Sequence, residues 1–171
     1  MQSISVAEER RLPRAGLACI DILAPTDGPR HLPNLDAGPI RVDGLPGLRI
    51  ALARTPVAVE VEAGLSTGGT VSARIPLPDV CSALALKASA YADRHAPKDA
   101  SDIQRLLETA HSDGLTVVDW PIGPTFARAS ERLRVSFDRP GRSLSQLAPT
   151  AAGQARAQAL LRRLIGVDGG R

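Results

Sequence analysis

Lys87 is the only charged residue between Asp79 and Asp93, in a run (VCSALALKASAYA) that otherwise reads as a buried helix. A second helical pattern opens soon after with Lys98-Asp99-Ala100-Ser101-Asp102. Burying an ammonium is costly, so such a lysine neutralises, snorkels outward or finds an anion. The anion can be a carboxylate of the protein or the phosphate of a ligand. Asp99 and Asp102, about 60° apart on the helical wheel, can face the same cleft as Lys87, with Lys98 adding a cation at its mouth. Capping explains the same two carboxylates without any ligand, with Asp99 as N-cap and Asp102 near the positive end of the helix dipole. Asp21, between Ile20 and Ile22, is a carboxylate in an apolar strand. It is either exposed at an edge or at the strand end, or a hard oxygen ligand for a divalent ion, one that cannot hold Mg²⁺ alone.

Other patterns have simpler explanations. Gly68-Gly69-Thr70 resembles a phosphate-cradling turn but lies between two strand patterns with no helix after it, so it reads as a hairpin. Glu60-Val61-Glu62 reads as the polar face of an alternating strand. His31, His95 and His111 are too scattered to form a metal triad. Arg128, Arg132 and Arg134, with Glu131, read as a solvated helix face.

The elements that must position these residues follow from periodicity. Leu17–Leu23 (LACIDIL) is of strand length, and 25–46, rich in Pro, Gly and Asp, reads as a long surface loop or a broken pair of extended segments. Strands are expected at Leu48–Ala53, Val57–Glu62 and Thr70–Ile75. Helices are expected at Asp79–Asp93 and Asp99–Ala110, the first carrying Val80, Leu84, Lys87 and Tyr91 on one face. Beyond Gly114 the pattern predicts a short strand at LTVVDW, a helix at Phe126–Phe137, a loop at Arg139–Pro149 and a last helix at Ala151–Ile165. The expected class is α+β, with a small mixed sheet and a β-ribbon followed by a helical C-terminal half. Residues 1–113 would form the core, and 114–171 a helical extension of the same domain.

Composition narrows the function. The chain has 171 residues, a formal net charge of +3, 43% apolar residues and 2% aromatic residues. So few aromatic rings argue against a base-stacking platform for single-stranded nucleic acid. Two isolated cysteines, Cys19 and Cys81, indicate neither a disulfide framework nor a zinc site. No apolar run reaches the ~20 residues that span a bilayer. A cytoplasmic protein without a membrane partner is therefore expected.

IDILAP at a strand end, then a ribbon, then P-x-P-D-x-x-x-A-L-x-L-K-A-x-A and K-D-x-x-D-I-x-x-L-L together resemble the latter part of AbiEii-like nucleotidyltransferases. These bacterial proteins of the DNA polymerase beta superfamily include toxins of toxin-antitoxin and phage-defence systems. The resemblance covers 17–107 and implies a partial nucleotidyltransferase-like fold. It also implies transfer of a nucleoside monophosphate from a nucleoside triphosphate to a hydroxyl on RNA or protein, with Mg²⁺. By resemblance, Lys87 and Lys98 would bind the nucleotide, Asp99 and Asp102 would be catalytic carboxylates, and Asp21 would assist the metal.

The family's D-x-D pair is absent from this sequence, and its only Gly-Gly-Thr follows the strand it should precede. The resemblance therefore implies a domain truncated before its first strands and inactive alone, or one completed by another polypeptide, such as an antitoxin partner. The alternative is a non-catalytic module that binds a nucleotide, RNA or a partner.

Overall fold

The computed structural model describes residues 22–26, 31–65 and 67–166. Most of the strand expected at Leu17–Leu23, including Asp21, lies outside the described residues. The fold is α+β, with small sheets followed by a helical C-terminal half. The chain divides into two compact units, Met1–Ile50 and Ala51–Arg171.

In the first unit, β1 (Leu23–Thr26), β2 (Leu32–Asp36) and β3 (Arg41–Pro46) form a sheet in the order β1-β3-β2. β1 is parallel and β2 antiparallel to β3, so 25–46 contains a broken pair of extended segments. The break is an irregularity between Leu32 and Leu35, where Asn34 adopts φ 57° and its N–H donates to Asp43 Oδ1 at 2.9 Å. Gly44 permits the packing of this small sheet: a Cβ there would lie 2.5 Å from Thr26 Cγ2 and 2.8 Å from Leu35 Cδ1.

Leu48–Ala53, expected as a strand, is a short helix, α1. Gly47 at φ 81° turns the chain, and the Ile50 N–H closes back on the Gly47 carbonyl at 3.0 Å. The segment LRIALA lacks period-two alternation and is rich in helix formers, so local preference decides where no strand partner competes.

The second unit begins with a ribbon, β4 (Val57–Gly64) antiparallel to β5 (Thr70–Leu77), in register from Val57↔Leu77 to Gly64↔Thr70. Gly68 and Gly69, at φ 86° and 91°, close its turn, as the hairpin reading of Gly-Gly-Thr requires. Five helices follow: α2 (Val80–Arg94), α3 (Pro97–Ser112), α4 (Pro124–Phe137), α5 (Arg142–Leu147) and α6 (Ala151–Ile165). Their shared core includes Leu84, Tyr91, Ile103, Leu107, Leu133 and Leu161, all buried.

Two expectations after Gly114 fail for local reasons. LTVVDW is a turn rather than a strand, because Asp119 Oδ2 accepts from the Thr116 N–H at 2.9 Å and its hydroxyl at 3.1 Å. These bonds offer the backbone an alternative to a ladder. The loop expected at Arg139–Pro149 contains α5, whose Leu144 and Leu147 are buried, while Gln146 accepts from the Tyr91 hydroxyl at 2.8 Å. Among the described residues, no helix is long and apolar enough to cross a membrane.

Candidate functional site

The site is built on the hairpin of α2 and α3. Asp79 starts α2 by accepting from the Ser82 N–H on Oδ1 at 3.1 Å, while its Oδ2 accepts both from the Ser82 hydroxyl at 2.7 Å and from Arg54 Nε at 2.7 Å. Burial pushes the Asp79 carboxyl toward a higher pKa, but the bonds from Ser82 and Arg54 outweigh it and hold the carboxyl below its usual range. α2 stops at His95, in the left-handed region at φ 49°, whose N–H returns to the Tyr91 carbonyl at 2.7 Å. Pro97 then occupies the first turn of α3, where its missing N–H costs nothing. The two helices thus reverse across a two-residue connection and pack face to face.

This start displaces Asp99 from the N-cap position expected of it. Ala96 is the flanking residue, and Asp99 sits inside the first turn, with its N–H bonded to the Ala96 carbonyl at 3.0 Å. Its side chain turns inward and is 0% exposed. Burial of a carboxylate demands compensation, and both oxygens receive it. Arg94 Nε donates to Oδ2 at 2.6 Å and Arg94 Nη2 to Oδ1 at 2.8 Å, a bidentate fork. Lys87 Nζ approaches Oδ1 at 3.4 Å and donates to Asp102 Oδ2 at 2.7 Å. Asp102 Oδ1 has only the 4.0 Å approach of Arg105 Nη1 among the described residues.

The bonds from Arg94 hold the Asp99 carboxyl below the usual range against the opposing effect of burial, with Lys87 adding to the downward shift. The same bonds raise the Arg94 guanidinium above its ordinary value. Asp99 is therefore ionised at neutral pH and committed to holding cations. Asp102, with one oxygen still open, is the carboxylate with acceptor capacity to spare.

The structure brings Lys87, Asp99 and Asp102 into one cluster, with Lys87 paired to carboxylates. Lys98 is exposed and makes no ion pair among the described residues. Asp21 lies outside the described residues. Arg94, which the sequence reading passed over, is the principal partner of Asp99. The signal for it was present: Arg94 falls seven residues after Lys87 on the same helix face, in the last turn of α2, where a cation is favoured.

The cluster does not fit Mg²⁺ as it stands. Asp99 has no free oxygen, so a divalent ion would have to displace a cation from it, and the single open oxygen of Asp102, on a carboxylate already paired with Lys87, cannot hold the ion alone. Among the described residues there is no group of three or more His, Cys, Asp or Glu side chains that could hold a metal. What the arrangement offers is two cationic heads, Lys87 at 33% and Arg94 at 62% exposure, anchored by a buried carboxylate.

Comparison with known proteins yields no match: no family model, curated protein or solved structure matches this chain.

Proposed function

We propose that this chain is a nucleotidyltransferase-like module that binds the phosphates of a nucleoside triphosphate through Lys87 and Arg94, with Lys98 nearby, and does not transfer the nucleotide by itself. One observation carries this reading: a fully buried Asp99 gathers two partly solvent-facing cations at the end of one helical hairpin. Fixed in this way, they can meet a phosphate with less ordering cost than free side chains would incur. The resemblance of the K-D-x-x-D segment supports the same assignment. Transfer of a nucleoside monophosphate to an RNA or protein hydroxyl is what that resemblance implies. It depends on a paired-carboxylate metal clamp, and D-x-D is absent from the sequence. A complementing polypeptide, such as an antitoxin-type partner, belongs to the same reading.

The burial of Asp99 also favours a second reading, in which the cluster is only a clamp between α2 and α3. Titration calorimetry with each of the four nucleoside triphosphates, with and without Mg²⁺, separates the two. The binding module predicts saturable heat that Lys87→Gln reduces at least tenfold, together with no label incorporation from an α-labelled triphosphate into RNA or protein. Absence of binding to the well-folded wild-type chain refutes the module and leaves the clamp.

A further inference from the structure

The ribbon alternates, apart from the Ala58–Pro76 pair on its polar face. Val57, Val59, Val61 and Ala63 on β4 stand opposite Leu77, Ile75, Ala73 and Val71 on β5, so one face carries eight apolar side chains and no charge. Glu60, Glu62, Ser72 and Arg74 fall on the other face, where Glu60 and Arg74 approach to 3.6 Å. In a half-wet sheet the apolar face is the buried one. Here Val57, Val61, Val71, Ile75 and Leu77 are 36% to 52% exposed. The two strands pack chiefly on each other, and an isolated two-stranded ribbon is marginal in water.

We propose that this face is a homodimer interface, covered by the same face of a second copy of the chain. A face of uniform apolar chemistry can match the same face of a second copy, as an isologous contact requires. It offers no charge or hydrogen-bonding side chain to attract a polar partner. Eight residues per strand make the face roughly 26 Å long, and it exposes on the order of 500 Å² per copy, the upper range for a patch on a monomer. Two copies then bury about 1,000 Å² in total, the lower limit for a specific interface. The product is a four-stranded, two-layer sandwich with the sheets about 10 Å apart, and both polar faces remain in water. An interface of this size gives a concentration-dependent dimer rather than an obligate one.

Sedimentation of the full chain from about 1 to about 200 µM, a range that brackets affinities for interfaces this small, tests the proposal. The weight-average mass is expected to rise from 17.9 kDa toward twice that value. Ile75→Lys and Val61→Lys, each placing an ammonium in the face, are expected to weaken association at least tenfold while leaving the helical circular dichroism intact. Ser72→Lys, on the opposite face, is expected to dimerise like the wild type. A monomer throughout the range overturns the proposal, as does a dimer that survives both lysine substitutions. Loss of association in Ser72→Lys equal to that in Val61→Lys overturns it as well, because the contact would not then be through this face.

Discussion

Arg94→Ala tests whether Asp99 depends on its guanidinium fork. The substitution removes two charge-assisted hydrogen bonds, at 2.6 and 2.8 Å, from a carboxylate that is 0% exposed. Removing one partner of a buried pair costs about 3–5 kcal/mol when the other is left without compensation. Two features reduce that figure here. Arg94 is 62% exposed, so its loss admits water to Asp99, and Lys87 remains 3.4 Å away. We expect about 2 kcal/mol of destabilisation after this discount. Asp99→Ala removes the buried charge instead and leaves Arg94 to water and Lys87 to Asp102. The double variant should therefore cost little more than Asp99→Ala alone, with a coupling of about 1–2 kcal/mol between the two sites. Urea denaturation followed by circular dichroism and by the fluorescence of Trp120 measures all four corners of the cycle. Additive effects, or an Arg94→Ala variant within about 0.5 kcal/mol of the wild type, would refute the claim that Asp99 is held by this fork.

The depressed Asp99 carboxyl makes part of the stability depend on acid. In the acid range the unfolded chain binds the proton more readily than the folded chain, so this contribution is present above the unfolded value, roughly pH 4, and is lost as pH falls through the lower folded value. The stability difference between wild type and Asp99→Asn should therefore shrink from neutral pH toward pH 3, and a difference constant over that range would contradict it. Asp79→Ala should cost about 1–2 kcal/mol through loss of the cap on α2, whereas Asp79→Asn, which keeps an N-capping oxygen, should cost less; equal losses would shift the weight to the Arg54 pair. Burial pushes the Cys81 thiol up to about 11, with Asp79 adding to the effect. In a Cys19→Ser background the remaining thiol should resist a thiol reagent at pH 8 until denaturant is added, and rapid native-state labelling would show that the start of α2 opens.

The elements that were legible are those whose pattern and end signals agree. Ala151–Ile165 coincides with α6 because Thr150 caps it, accepting from the Gly153 N–H at 3.1 Å, and Leu160, Leu161, Leu164 and Ile165 repeat at helical spacing. The ribbon was legible from alternation and two glycines. Leu48–Ala53 was not, because six apolar-rich residues are too few for periodicity to separate a strand from a helix, and only their helix-forming composition points to α1. α5 was hidden for a related reason: a six-residue helix has too few turns to show a period. What secures it is contact with distant residues, including Tyr91, 55 positions away from Gln146. The turn at Thr116–Asp119 defeats a propensity reading because its valines favour a strand, whereas one aspartate side chain satisfies the backbone locally.

The candidate site shows where residue type stops and geometry begins. Lys87 in an apolar helix must neutralise, snorkel or find an anion, and with two carboxylates within reach in the sequence it takes the last course. Which carboxylate would be buried was set by where α3 starts. Had Asp99 capped the helix, its oxygens would have been spent on backbone N–H groups and Lys87 would have met Asp102 alone. With Pro97 opening the helix, Asp99 moves into the first turn and faces α2, where Arg94 arrives seven residues after Lys87. A shift in the start of one helix thus converts a cap into a buried anchor for two cations. On the proposed reading that anchor is what would let the two cations meet a phosphate as an ordered pair, and the nucleotide titration tests it.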